Sequence, residues 1–244
     1  FVEDLKDYDF WGYCDMDLMW GGVRNFITDD VLESYDKIGF QGHSTIYRNN
    51  PENNSRYRNE FGDIDNYKEV FTSSHNWNFD EKAINGIFNR LNVPFYSDTS
   101  FSTLAQYRYN FIARYWPREN KNENKHVIYY WKDGRLFHIF AYNGAVNYKE
   151  VMYVHWQKRK MQVSYDSEKT AYLIVPNSVY PSNDLLSYKN IMTVSNSRWL
   201  YYFWNLLLDN KDKSIKEKLK IMKRWFFYNI RVVFENDKKQ DIDG

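Results

Sequence analysis

The 244-residue chain has a single cysteine, Cys14, which excludes an internal disulfide and a cysteine-rich metal site and fits a reducing compartment. An excess of either charge is also missing. Its 33 basic and 32 acidic residues give a formal net charge of +1 and are well mixed, so no global field selects nucleic acid and any anion site must be local. Only five histidines are present and they are scattered, which disfavours a metal-dependent phosphoester hydrolase built on several histidines and two metals. The longest apolar run, WLYYFWNLLL at 199–208, contains an asparagine and falls short of the roughly 20 residues that a membrane span requires. No signal-peptide pattern opens the chain, which starts at Phe1 and reads as beginning inside a domain. No internal repeat is found.

What is present is aromatic. With 22 Tyr, 17 Phe and 9 Trp, rings make up 20% of residues, while the mean hydropathy is low at -0.75. Such a chain buries amphipathic rings and keeps their polar edges wet. Sugar-handling proteins share this balance, since flat sugar faces stack on rings and sugar hydroxyls need amides and carboxylates. The hydrophobic share of 43% is enough at this length for a sizeable core.

Along the chain, Phe10 to Cys14 reads as a short buried strand running into Asp15. A helix is expected from about residue 28 through VLESYDKI, with Val31, Leu32, Tyr35 and Ile38 at helical spacing and Gly39 as its stop. GHSTIYRN alternates like a strand, and the Asn-rich stretch NNPENNSRYRNEFGD reads as a mobile loop. A second helix is expected from Asp80 to about Leu91, with Ile84, Ile87, Phe88 and Leu91 on one face. Residues 126–141 form a hairpin pattern around Asp133 and Gly134. Strands follow at 150–157 and 170–176. Two helical segments complete the chain after Ser197, the second mixing Lys and Arg with Trp, Phe and Ile; both a domain cap and an anchor lying on an anionic membrane fit that mixture. Mixed strands and helices point to an α/β or α+β domain over 1–197 with a helical tail over 198–244.

Four constellations bear chemistry. In FWGYCDMDLMWGG, Asp15 and Asp17 at a strand end can reach one divalent cation, because residues i and i+2 of a strand point the same way. Mg2+ and Mn2+ favour such oxygen ligands and keep positions open for phosphates. A solvated turn and a strand end facing water are the competing readings. In HWQKRKM, His155 can be a further ligand while Lys158, Arg159 and Lys160 counter phosphate charge; a solvated basic turn is the competing reading. In FDEKAING, Asp80 and Glu81 are either a helix start or the site of a general base. In GHSTIYRNN, His43, Tyr47, Arg48 and Asn49 are candidates to line a substrate pocket. His75, His126 and His138 lack such company and read as structural or surface residues.

Taken in order, FWGYCDMDLMWGG, GHSTIYRNN, FDEKAING and VHWQKRKM resemble the conserved blocks of bacterial glycosyltransferase-like proteins found among capsule and surface-polysaccharide genes. More broadly the pattern is similar to GT-A nucleotide-sugar glycosyltransferases. The resemblance implies a GT-A-like mixed sheet flanked by helices, N-terminally incomplete because only fourteen residues precede Asp15. It implies that Asp15, Asp17 and His155 hold Mn2+ or Mg2+ on the diphosphate of a nucleoside-diphosphate sugar. Lys158, Arg159 and Lys160 would then steady the phosphates, and Asp80 or Glu81 would act as base in an inverting transfer to a polysaccharide or lipid-linked acceptor. The implied setting is cytoplasmic, with peripheral contact at the inner membrane face. A glycan-binding or scaffolding module without catalysis stays open beside it.

Overall fold

The computed structural model describes residues 3–97, 100–104, 126–157, 159, 161–195 and 210–223. Its composition is mixed α/β, with several sheets and a few short helices. By proximity the chain divides into two compact units, Phe1–Leu18 with Val23–Thr99 and Met19–Gly22 with Ser100–Gly244. The expected boundary at 197/198 and the first tail segment lie outside the described residues.

Residues up to 97 supply β1 (Phe10–Cys14), β2 (Leu18–Trp20), α1 (Asp29–Ser34), β3 (Lys37–Gln41), β4 (Ser44–Arg48), α2 (Pro51–Ser55), α3 (Tyr67–Thr72) and α4 (Ile84–Arg90), the last entered through a π turn at Phe79–Ala83. In the first unit β4 lies between β1 and β3, antiparallel to both. Alternation along β4 turns Thr45 and Tyr47 inward. The i, i+3, i+4 spacing of Ile84, Ile87 and Phe88 puts all three with Tyr47 in one core. Trp11 stacks on Tyr47 with ring centroids 4.9 Å apart, which is how the aromatic end of β1 is covered.

Three expectations are corrected here. The helix through VLESYDKI stops at Ser34, and the chain continues as β3, where Lys37 and Ile38 are buried by pairing with Tyr47 and Ile46. Sheet pairing overrides the local helical period, and Gly39 sits in the strand at φ 95°, where the register slips. The Asn-rich stretch is helical over 51–58 and irregular only over 59–63: the Asn50 side chain accepts the Asn53 N–H at 2.7 Å and Pro51 takes the first helical position. Its polar side chains form a bolt, in which Asn53 donates to the carbonyls of Asp36 and Arg48 at 3.0 and 2.9 Å. The Asp36 carboxylate receives Arg48 at 3.0 Å and Arg56 at 3.3 Å. Finally, β1 is half-buried only at Phe10 and Trp11 and exposed from Gly12 to Cys14.

The later part of the chain supplies β5 (Phe101–Thr103), β6 (Val127–Lys132), β7 (Arg135–Tyr142), β8 (Ala145–Val151), β9 (Tyr153–His155), β10 (Gln162–Val163), β11 (Ala171–Val175), β12 (Ser178–Pro181) and α5 (Tyr188–Val194). A six-stranded sheet runs β10-β12-β11-β6-β7-β8, and a three-stranded one runs β2-β9-β5. The hairpin of β6 and β7 turns at Asp133 and Gly134 with φ 48° and 78°, the left-handed pair that a type I′ turn requires.

Strands β6 and β11 are buried on both faces. Val127, Tyr129, Tyr172 and Ile174 join Leu104, Val154 and Trp156 on one side, whereas Ile128, Tyr130, Ala171, Leu173 and Val175 meet Ile191 of α5 on the other. No sequence pattern had marked α5, whose Ser187 side chain caps Asn190 at 3.3 Å. The single strand expected over 150–157 is two strands, broken by a bend at Met152. Gly21 follows β2 in close quarters: a Cβ there would lie 2.7 Å from the Leu136 Cβ. Residues 215–223 are helical.

One buried group in the first unit couples the fold to pH. Lys37 is fully buried, with its ammonium 2.8 Å from Asn85 Oδ1, bonded to the Gly39 carbonyl and 4.4 Å from the Phe95 ring centre. Burial outweighs these contacts and lowers its pKa to about 7. Unfolded chain holds the proton to roughly pH 10.4, so the unfolded state binds more protons between the two values and stability rises with pH across that window. The full penalty is present below about 7. Urea unfolding at steps from pH 7 to 9 is expected to show stability rising by up to about 1.4 kcal/mol per pH unit from this group, and Lys37→Met should remove that slope. An unchanged slope in the variant would exclude Lys37 as its source.

Candidate metal centre

Strand β1 ends at Cys14, and Asp15, Met16 and Asp17 make the turn into β2. The paired carboxylates therefore project from a turn and not from the strand itself. The Asp15 N–H donates to the His43 carbonyl at 2.9 Å, which fixes the first residue of that turn. Asp17 directly precedes β2, β2 is hydrogen-bonded to β9, and His155 is the last residue of β9. Asp15 is exposed, Asp17 half-buried and His155 buried, and each offers one ligand atom such that all lie within 4.8 Å of one another. Divalent cations bind oxygen ligands at about 2.0–2.6 Å, so two donors of one ion stand up to about twice that distance apart. Two carboxylates and one imidazole at this spacing are a group that could hold a metal ion.

A second acidic pair is tied to the same turn within the first unit. Glu81 accepts the Gly42 N–H at 2.9 Å. Asp80 lies so close that a Cβ on Gly42 would stand 2.2 Å from its Oδ2, so any larger residue there would force the acidic side chains to move. The chain of contacts runs from Glu81 through Gly42 and His43 to Asp15. Beside it, Tyr47 donates to the Tyr13 hydroxyl, which also bonds Thr45. Burial raises the Tyr13 pKa, the Tyr47 and Thr45 hydroxyls oppose that, and the negative charges of Asp80 and Glu81 add to it. Burial likewise raises Tyr47. Both phenols stay protonated and serve as hydrogen-bonding groups next to the carboxylates.

The remaining site residues are placed as follows. His43 is buried and contributes its carbonyl to Asp15. Arg48, expected at a substrate pocket, is otherwise engaged: it pairs with Asp36, donates to the carbonyls of Leu32 and Glu33, and lies 4.8 Å over the Phe10 ring. Its guanidinium holds the connection between α1 and β3. Arg159 is buried, donates to Asn177 Oδ1 at 3.3 Å, and its charge partly offsets the burial that raises the Tyr129 pKa. Lys158 and Lys160 lie outside the described residues. His126, His138 and His75 contact Ser195, Tyr129 and Trp77 respectively, consistent with structural roles. Tyr47 stands in the GHSTIYRNN block, whereas the contributions of Gly42 and Tyr13 had no sequence signal beyond the alternation that sets Trp11 and Tyr13 on one face of β1.

A sequence model of a family of unknown function, DUF6625, matches residues 1–183, and the chain belongs to that family. No curated protein and no solved structure matches it.

Gly42→Ala is expected to push the π turn away from the Asp-x-Asp turn, costing about 1–3 kcal/mol and lowering the melting temperature by several degrees. Adding Asp80→Ala opens room for the methyl and should recover much of that loss in differential scanning fluorimetry. A double variant that melts no higher than the single one would show that the clash with Asp80 is not the cause.

Proposed function

We propose that this DUF6625 member is a metal-dependent glycosyltransferase that moves a sugar from a nucleoside-diphosphate sugar to a polysaccharide or lipid-linked glycan acceptor. The observation that carries the reading is the convergence of Asp15, Asp17 and His155 within 4.8 Å. Three protein ligands leave about half of an octahedral shell for phosphate oxygens. A Mn2+ or Mg2+ bound there would neutralise the charge that grows on the departing nucleoside diphosphate.

The chain's own residues have distinct tasks. Asp15 and Asp17 present negative oxygens from a turn held by the His43 carbonyl, so their positions are set before any ligand arrives. His155 brings a neutral nitrogen from the end of β9. Asp80 is exposed and can take the proton of an acceptor hydroxyl, whereas Glu81 is occupied with the Gly42 N–H and keeps the turn in place. The Tyr13 hydroxyl, beside both acids, orients the acceptor by hydrogen bonding. Lys158 and Lys160 follow His155 in the chain and add positive charge for the diphosphate. On this reading the sheet of the first unit presents the Asp-x-Asp turn in the way of the GT-A proteins that the sequence resembles. A donor of this class is a cytoplasmic metabolite, which is where the protein would act.

Mn2+ titration followed by electron paramagnetic resonance, with and without UDP, tests the reading. Mn2+ should strengthen UDP binding, and Asp15→Asn or Asp17→Asn should weaken Mn2+ binding by at least about tenfold without lowering the melting temperature. Glycan binding that persists in EDTA with no nucleotide bound would favour a carbohydrate-binding module instead. Asp80→Asn should spare nucleotide binding and reduce transfer by about two to four orders of magnitude.

A further inference from the structure

The helix at 215–223 begins at a reciprocal cap: the Ser214 N–H donates to Glu217 Oε2 at 3.0 Å and the Glu217 N–H donates to Ser214 Oγ at 3.3 Å. This capping box fixes the helix start, and with it the direction of every side chain that follows. At about 100° per residue, Ile215, Leu219 and Met222 fall within a sector of about 60°. Lys216, Lys220 and Lys223 line one flank of that sector and Lys218 the other.

A helix that caps a domain turns such an apolar sector inward. Here Ile215 is 78% exposed and Leu219 57% exposed. The charge around them is one-sided: residues 210–223 carry six lysines against Asp212 and Glu217. No helix among the described residues is long and apolar enough to cross a membrane. An apolar stripe bordered by lysines, too short to span, suits a position in the plane of a bilayer surface, with the side chains of Ile215 and Leu219 dipping below the headgroups and lysine stems reaching back up to them.

We propose that this helix docks on an anionic lipid surface. The partner is chosen by charge complementarity: each lysine near such a surface strengthens binding by roughly fivefold, and several act together. The apolar pair supplies the part of the attraction that salt does not screen. This inference rests on the exposure and charge of the helix alone and stands apart from the glycosyltransferase reading.

Cosedimentation of the full chain with vesicles decides it. Vesicles of phosphatidylcholine mixed with phosphatidylglycerol should pull the protein down in low salt, and pure phosphatidylcholine should not. The triple variant Lys216→Gln/Lys220→Gln/Lys223→Gln should weaken binding by roughly a hundredfold. Ile215→Asn/Leu219→Asn, at exposed positions, should weaken it while leaving the circular dichroism spectrum unchanged. Failure to sediment with the anionic vesicles, or binding that survives both variants, would overturn the proposal.

Discussion

The close approach at Gly42 is the constraint on which the candidate site depends. Without a side chain there, the π turn can bring Asp80 and Glu81 against the start of β4, and Glu81 can take the Gly42 N–H. The next residue, His43, then offers its carbonyl to Asp15. Two segments far apart in sequence are joined by a hydrogen bond at each end of a two-residue link. The fold thus ties Asp80, Glu81 and the turn that starts at Asp15 to one short stretch of main chain.

How the two units secure themselves differs in kind. The second unit relies on a sheet whose middle strands, β6 and β11, are apolar on both faces, so stability there comes from area removed from water. The first unit has a smaller core and adds a network of fixed polar groups around Asp36, Asn53, Arg48 and Arg56. Each member saturates backbone groups or charges that would be expensive to bury alone. The asparagine-rich segment is therefore part of the framework.

The parts of the fold that were legible in the sequence are those set by neighbours along the chain. The Asp133-Gly134 turn needs left-handed residues at both centres, and α4 declares its buried face through Ile84, Ile87 and Phe88. Lys37 and Ile38 were misread because their strand state comes from β4, not from their own surroundings. Asn50 and Pro51 did carry a helix-start signal, but the abundance of asparagine hid it. For the site, the proximity of Asp15, Asp17 and His155 was anticipated from residue types and order. The link through Gly42 was not, since nothing local in a Gly-His dipeptide shows what stands opposite a missing side chain. Nor does a local motif show which partners an arginine takes, as the Arg48–Asp36 pair and the Arg159–Asn177 contact illustrate.

The bend at Met152 has a consequence for how a ligand would be met. Its N–H donates to the Ser100 carbonyl at 2.6 Å, and its own carbonyl accepts the Gly21 N–H at 2.8 Å. Both main-chain groups of the pivot are thus held, and β9 departs from it with His155 three residues on. Backbone opening near His155 then requires the pairings on either side to break together, which places this segment among the cooperative, slowly exchanging parts of the second unit and not among its fraying loops. The main chain that carries the imidazole is thus ordered in advance, so little backbone entropy would remain to be lost if His155 took a ligand.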